Sequence, residues 1–373
     1  MPLRGEAENR ITYVNLEKIP GGTTLLHRCQ NAVLGSNCVQ KTVPISSGSV
    51  AFFEPRLLEA LDHPHITPVR EAQFDPNFDN RVTFVMPWYD GGSVANALLD
   101  GHRFSLSDSL AIIRDVLDAI EYVHTRKRYV HRDIKGDNIL MSGDRRSGFL
   151  SDFGLAAALE TDGEAPAIVA TYEYMAPECA TSQRHGPAAD AYGVGMVLFE
   201  MLNGRIRWED LDRTKVERRL VAGRRALPDH AYAPSAFAAH IPEALVTAIR
   251  KAICAHRTQR YESAAHFLRA LNGVAYIDWR HVDGEGDDGT WEGTWPPQAH
   301  IDRRDFYRVT SRIVERGPAS GKRRLASFYR RAGATNWRRI GVADRDVEPD
   351  DSTAVRTFFR DVAANADHRW AAQ

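Results

Sequence analysis

Short runs of β-prone residues dominate the first 90 positions of the chain. We predict strands at 10–16, 25–29, 38–43 and 82–86, and one helix near 52–61. This part of the chain is therefore expected to form a small unit that is mostly β.

From residue 107 the pattern becomes helical. Leu110, Ile113 and Leu117 recur every three or four positions, as on the buried face of an amphipathic helix. Ser107 and Asp108 suit the start of this helix. We predict further helices at 188–202, 242–255 and 263–271. The second unit is therefore mainly α, with irregular sequence between 143 and 185.

The last hundred residues have a different texture. Residues 278–297 are rich in Gly, Asp and Trp and end in a Pro pair, which predicts a loop and a boundary. We predict strands at 307–315, 323–331 and 337–343, then a helix that begins at Asp351 or Ser352. Its apolar face comprises Val355, Phe358, Phe359 and Val362. Five of the seven tryptophans follow Leu271, so this part can build its own core.

Composition excludes several classes of protein. The chain is 43% hydrophobic, 26% charged and formally −1 at pH 7, which is typical of a globular protein. Its four cysteines lack metal-ligand spacing, which argues against a zinc site or disulfide framework and favours a cytoplasmic location. The N-terminus lacks an apolar signal core, and no run of about 18 apolar residues occurs. A membrane-spanning receptor is therefore not expected.

Three motifs follow one another in the middle of the chain. Residues 131–138 spell H-R-D-x-K-x-x-N, 152–154 spell D-F-G and 176–178 spell A-P-E. Their order and spacing resemble the protein kinase family, and most closely the bacterial serine/threonine kinases with the eukaryotic-type fold. The resemblance covers residues 11–273. It implies an α+β, bilobal fold with an N-lobe at 1–87 and a C-lobe at 88–273, followed by an accessory α+β domain at 274–373.

The resemblance also implies roles for residues of the first two motifs. Asp133 would orient the attacking hydroxyl and accept its proton, and Lys135 would neutralise the γ-phosphate of ATP. Asn138 and Asp152 would bind Mg²⁺ through hard oxygen atoms. A lysine two residues after the aspartate resembles the serine/threonine class. A lone aspartate is normally a solvated turn residue, but three matching positions in this order argue against that reading.

Upstream residues are placed by the same resemblance. Lys41 matches the lysine that holds the α- and β-phosphates, with an exposed strand lysine as the alternative. Glu54 matches its ion-pair partner on a helix, and Pro55 implies that this helix starts late, since proline is tolerated only in the first turn. The residues expected to surround the adenine are Met86, Pro87, Tyr89 and Leu140.

The phosphate-covering loop departs from the family pattern. Where the family has G-x-G-x-x-G, residues 20–26 read P-G-G-T-T-L-L, so that only Gly21 and Gly22 remain. Fewer glycines allow fewer close backbone approaches to phosphate, which predicts weak ATP affinity. Alternatively, these two glycines form only a hairpin turn.

The segment between the D-F-G and A-P-E motifs, residues 153–178, matches the activation segment of the family and leaves two explanations open. In the family that the sequence resembles, an arginine in the position of Arg132 usually needs a negative charge from this segment to neutralise it. Thr161 is the hydroxyl that we expect to be phosphorylated, by the kinase itself. Alternatively, Glu160, Asp162 and Glu164 supply permanent charge or form a solvated acidic loop.

Residues 301–345 carry 13 Lys or Arg against 4 Asp or Glu. Such a segment could bind nucleic acid, but a solvated arginine face is the more common explanation and the one we favour. The resemblance therefore implies an ATP- and Mg²⁺-dependent serine/threonine kinase that acts on protein hydroxyls. A pseudokinase scaffold with a C-terminal binding module is the alternative, and a small-molecule kinase is disfavoured by the A-P-E motif.

Overall fold

The computed structural model describes residues 13–19, 25–44, 53–74, 81–168, 172–284, 288–295 and 304–371. Gly21 and Gly22 lie outside these residues, so neither explanation of the glycine loop is decided. The helices are α1 (Phe53–Ala60), α2 (Val94–Leu99), α3 (Leu106–Tyr122), α4 (Pro177–Thr181), α5 (Pro187–Asn203), α6 (Arg213–Val221), α7 (Glu243–Ala252), α8 (Ala264–Asn272) and α9 (Ser352–Ala371).

The strands of the first part of the chain are β1 (Tyr13–Ile19), β2 (Leu25–Asn31), β3 (Asn37–Pro44), β4 (Glu71–Phe74), β5 (Arg81–Pro87), β6 (Tyr129–Val130), β7 (Ile139–Met141), β8 (Gly148–Leu150), β9 (Ala157–Ala158), β10 (Ala165–Pro166) and β11 (Arg184–His185). Those of the last part are β12 (Arg280–Asp283), β13 (Gly289–Trp295), β14 (Asp305–Ile313), β15 (Arg323–Arg330), β16 (Arg338–Arg339) and β17 (Arg345–Val347).

A five-stranded antiparallel sheet forms the N-terminal part, in the order β1-β2-β3-β5-β4. Four of its strands were predicted, whereas β4 was missed because it has only four residues, too few for a clear pattern, and its side chains are largely exposed. The predicted helix is α1, which begins at Phe53. Pro55 therefore lies in the first turn, where its missing N–H has no intrahelical partner to lose.

Helix α3 runs through the core of the helical region. Leu110, Ile113 and Leu117 are fully buried, as the periodicity predicted. The predicted cap at Ser107 or Asp108 is wrong, because Ser105 Oγ accepts from the backbone N–H of Asp108. The Ser107 hydroxyl donates instead to Asp278 Oδ2 at 2.6 Å.

The C-terminal hundred residues form a six-stranded sheet with α9 packed against it. Strands β12 to β16 are consecutive neighbours, and β17 pairs with the opposite end of β15. The predicted loop at 278–297 is wrong, since it contains β12 and β13. The predicted strand at 337–343 shrinks to the two residues of β16. The apolar face predicted for the last helix is correct, and Asp351 Oδ1 accepts from Ala354 N at its start.

Glycine explains why β13 was missed. Trp291, Gly293 and Trp295 all point towards the second hydrophobic core. A Cβ at Gly293 would come within 2.5 Å of Ile277 Cγ2, so only glycine fits there. The period of two is therefore present, but glycine hides it from an apolar count.

The hydrophobic core of the helical region and the core of the C-terminal sheet lie next to each other where the chain passes from one to the other. Tyr276 packs in the larger core of the helical region, whereas Ile277 and Trp279 pack in the second core. Arg356 of α9 donates to four backbone carbonyls of the helical region, with the shortest contacts at 2.7 Å to Phe237 and 2.8 Å to Pro234. The last hundred residues are thus packed firmly on the helical region. Among the described residues, no helix is long and apolar enough to cross a membrane.

Candidate active site

Lys41, Glu54 and Asp152 meet although they lie far apart in sequence. Lys41 Nζ, on β3, lies 2.6 Å from Glu54 Oε1 on α1 and 2.8 Å from Asp152 Oδ1. The side chains of Lys41 and Glu54 are each 7% exposed. Burial acts to lower the pKa of Lys41, but the two carboxylates outweigh it and raise the pKa. The ammonium is therefore held charged in a nearly dry site, and the exposed-lysine alternative is wrong.

The backbone around Asp152 directs its carboxylate to the same place. Its φ of 61° lies in the left-handed region, which is costly for a residue with a side chain. Phe153 anchors this turn, because it is fully buried and its ring meets that of His131 edge-on at 4.7 Å. Burial acts to raise the pKa of Asp152, but Lys41 outweighs this effect and lowers the pKa. The carboxylate is therefore ionised.

A second group forms around Asp133. Lys135 Nζ contacts Asp133 Oδ2 at 2.8 Å, and Asn138 Nδ2 donates to the carbonyl and the carboxylate of Asp133 at 2.8 and 3.0 Å. Asp133 and Asn138 are buried, whereas Lys135 is partly exposed. The loop therefore presents a buried carboxylate beside a partly exposed cation.

Asp190, at the start of α5, anchors the backbone of the loop that carries Asp133. Its carboxylate accepts from the backbone N–H groups of His131 at 2.8 Å and Arg132 at 3.0 Å. His124 and His185 each contact the same carboxylate at 2.8 Å. Burial alone would lower the pKa of His185, but the Asp190 carboxylate outweighs it and the pKa rises to about 10. These two histidines were not singled out in the sequence, where no spacing connects them to Asp190.

The residues expected around an adenine lie at the end of β5, in the segment that follows it, and on β7. Met86 and Pro87 end β5, opposite Val39 and Cys38 of β3. The Tyr89 ring packs on Phe149 with 4.4 Å between centroids. Leu140 lies on β7 and is bridged to Ser93.

Gly91 lies in the turn that follows β5 and brings this turn close to the end of β7. Its N–H donates to the Met141 carbonyl at 3.2 Å. A Cβ at Gly91 would lie 2.1 Å from the Ser142 carbonyl oxygen, so the turn requires glycine.

The arrangement fits Mg²⁺, which typically takes one or two protein oxygens and completes its shell with phosphate and water. The Asn138 amide nitrogen is committed to Asp133, which leaves the amide oxygen for a cation. Asp152 supplies an ionised carboxylate. Elsewhere in the described part of the chain, no group of three or more His, Cys, Asp or Glu forms a candidate metal site.

The A-P-E motif is fixed to the end of the helical region. Arg260 forms a two-pronged ion pair with Glu178, with both N–O distances 2.6 Å. The Arg260 side chain is 1% exposed and also donates to the carbonyls of Cys254 and Ala255. This pair therefore joins two segments that lie 82 residues apart.

The acidic residues of the activation segment have partners. Arg184 Nη2 lies 2.8 Å from Glu160 Oε2 and 2.7 Å from Asp162 Oδ2. Arg257 forms an ion pair with Glu164. The loop is therefore both ion-paired and solvated, because the side chains of Glu160 and Asp162 are more than half exposed. Arg184 and Arg257 were also missed in the sequence.

Six arginines of the basic C-terminal segment also have acidic partners. Ion pairs join Arg308 to Glu292, Arg312 to Asp283, Arg323 to Asp288, Arg324 to Asp346, Arg339 to Asp344 and Arg345 to Asp361. The local excess of positive charge is largely compensated by acids elsewhere in the same domain.

The sequence matches the protein kinase domain over residues 24–270. The chain therefore belongs to the protein kinase family. Its sheet-rich first part and helical second part are the α+β fold that the motifs predicted.

Individual relatives are protein kinases. The human cAMP-dependent protein kinase catalytic subunit PRKX is 27% identical over 273 residues, which cover 68% of this chain and 72% of that protein. The serine/threonine-protein kinase PknJ of Mycobacterium tuberculosis is 31% identical over 232 residues, which cover 60% of this chain and 37% of PknJ. The Arabidopsis thaliana serine/threonine-protein kinase AtPK1/AtPK6 is 31% identical over 175 residues, covering 47% and 36%. The chain spans less than half of the length of the last two.

Proposed function

We propose that the protein transfers the γ-phosphate of ATP to serine or threonine hydroxyls of proteins, including its own Thr161. The observation that carries this proposal is the convergence of three charges, in which the buried pair of Lys41 and Glu54 contacts the partly exposed carboxylate of Asp152. Catalytically degraded relatives typically lack one of these charges. Lys135 beside Asp133, and the two relatives named as serine/threonine kinases, support the hydroxyl specificity.

The residues act by position and charge. Lys41, oriented by Glu54, would bind the α- and β-phosphates. Asp133 would hold the acceptor hydroxyl in line and take its proton, while Lys135 would offset charge on the transferred group. Asn138 and Asp152 would hold Mg²⁺, which when bound neutralises phosphate charge. Met86, Pro87, Tyr89 and Leu140 would enclose the adenine.

We further propose a division into an N-lobe at 1–87, a C-lobe at 88–273 and an accessory domain at 274–373. The separate core around Trp291 and Phe358 supports the last boundary. Because six arginines of the basic segment form ion pairs within the accessory domain, we propose that the domain braces the C-lobe instead of binding nucleic acid. We also propose that the protein acts in the cytoplasm.

The test uses the purified full chain, Mg²⁺, ATP labelled at the γ-phosphate and a generic basic protein. We expect label on both proteins, phosphoserine or phosphothreonine after hydrolysis, phosphate on Thr161, and loss of transfer with a chelator. Tyrosine labelling alone would refute the specificity. ATP binding without any transfer would favour a pseudokinase.

A further inference from the structure

Two arginines hold the activation segment through its acidic residues. Arg184, at the start of β11, contacts Glu160 and Asp162, and its Nε lies 3.6 Å from Glu164. Arg257 contacts Glu164 from the other side. We name these two arginines and three acids the Arg184 clamp. It joins the tip of the segment to Arg184, which follows the A-P-E motif and α4, and to Arg257, which precedes α8.

The backbone of the same segment is paired with the chain around β11. β10 pairs with β11, so that Ala165 faces His185 and Pro166 faces Arg184. The Ala167 N–H donates to the Gln183 carbonyl at 2.8 Å. The Glu160 N–H donates to the Glu164 carbonyl at 2.7 Å and closes a tight turn. This turn places the three acids against Arg184. The acids are therefore presented by a fixed turn.

Arg132 makes a different set of contacts. Its guanidinium donates to the carbonyls of Leu155, Ala156 and Pro166. No carboxylate of the described residues forms an ion pair with it. The acids therefore do not replace a phosphate at Arg132, contrary to one of the alternatives from the sequence. Arg132 instead joins the start of the segment to β10 through backbone carbonyls.

Thr161 lies exposed at the tip of the turn, between two of the acids. A phosphate there would add about two negative charges beside Glu160 and Asp162. It would compete for the same arginine, Arg184, which the acids already occupy. Phosphorylation of Thr161 is therefore electrostatically redundant for ordering the segment.

We propose that Arg184 is a positioning residue that keeps residues 157–168 of the activation segment ordered, so that phosphoryl transfer does not require phosphorylation of Thr161. The proposal rests on the proposed kinase function. Gly186 is part of the arrangement, because a Cβ there would lie 3.2 Å from Arg257 Nη2 and 3.4 Å from Glu164 Cγ. Glycine lets the second ion pair pass close to the backbone.

The test starts from protein treated with phosphatase and verified by intact mass. We expect it to phosphorylate a generic basic protein at once, and Thr161→Ala to keep kcat within about twofold. Arg184→Ala should lower kcat about tenfold with little change in the KM for ATP, because three partly exposed pairs are lost together. Arg184→Lys should restore part of the rate, since lysine keeps the charge but not the planar fork.

The matched control is Arg324→Ala, which removes a similar two-pronged pair with Asp346 far from the segment. It should leave kcat unchanged. Raising the salt concentration should lower kcat of the wild type more than that of Arg184→Ala, since salt screens partly exposed pairs. A rate that appears only after phosphorylation of the segment, or equal rates for Arg184→Ala and the control, would overturn the proposal.

Hydrogen exchange separates this proposal from the kinase function itself. Residues 157–168 of the unphosphorylated protein should be protected in the wild type and exposed in Arg184→Ala. If the wild type transfers no phosphate, the proposed function fails. Equal protection in the wild type and the variant would overturn the clamp, whether or not the protein is active.

Discussion

Breaking the ion pair between Glu178 and Arg260 should be costly. In Glu178→Gln the side chain keeps its shape and one acceptor oxygen, but the Arg260 guanidinium loses its counter-charge. Arg260 is 1% exposed and cannot turn to water, and Glu178 is 16% exposed. Removing one partner of a buried pair costs about 3–5 kcal/mol. For a unit of roughly 150–250 residues, this lowers the melting temperature by about 10 °C.

Differential scanning calorimetry of the full chain measures this shift. The control is Asp210→Asn, which breaks the pair of Asp210 with Arg207 at 2.9 Å, where the side chains are 52% and 73% exposed. We expect a change of less than about 2 °C for the control. Equal shifts in the two variants would refute the assignment of this pair as a buried structural anchor.

Three further predictions test other parts of the structure. Gly91→Ala should lower the free energy of unfolding by about 1–3 kcal/mol in urea, because its Cβ would collide with the Ser142 carbonyl. The pKa of His185 is raised to about 10, so its contribution to the free energy of unfolding should be full below about pH 6.5 and should be lost as the pH rises towards 10. The slope of this loss is up to about 1.4 kcal/mol per pH unit. Urea unfolding of the wild type and of His185→Gln across this range should differ by that slope. Arg356→Ala should lower the stability of the C-terminal domain by about 1–2 kcal/mol and increase proteolysis near residue 277, because its carbonyl contacts to the C-lobe are lost.

Local patterns in the sequence predicted much of the fold. The buried face of α3 and the face of α9 that meets the C-terminal sheet follow from periodicity alone. Strand β13 was missed because glycine occupies an inward position where a side chain would clash. The start of α3 was placed two residues late because Ser107, although a good cap, is used to bind Asp278.

The candidate site shows a sharper division. Residues such as Asp133 and Asp152 were singled out in the sequence because the motifs of the family fix their type and spacing. Arg184 was not found because its partners lie 20 to 24 residues away, beyond any local pattern. His185 lies only five residues before Asp190, but that spacing is not a recurring pattern of helices or strands. Arg184 could have been suspected only by asking which cation balances the acids at 160, 162 and 164.

The most direct test of the central claim compares Asp133→Asn with Asp144→Asn. Asp133 is buried beside Lys135 and Asn138, whereas Asp144 lies in an exposed turn. We predict that Asp133→Asn lowers kcat about 10³-fold or more while the Kd for ATP is unchanged, because the group that orients the hydroxyl is lost. Asp144→Asn should match the wild type. If Asp133→Asn kept a rate within about threefold of the wild type, the account of this site as a phosphoryl-transfer centre would be contradicted.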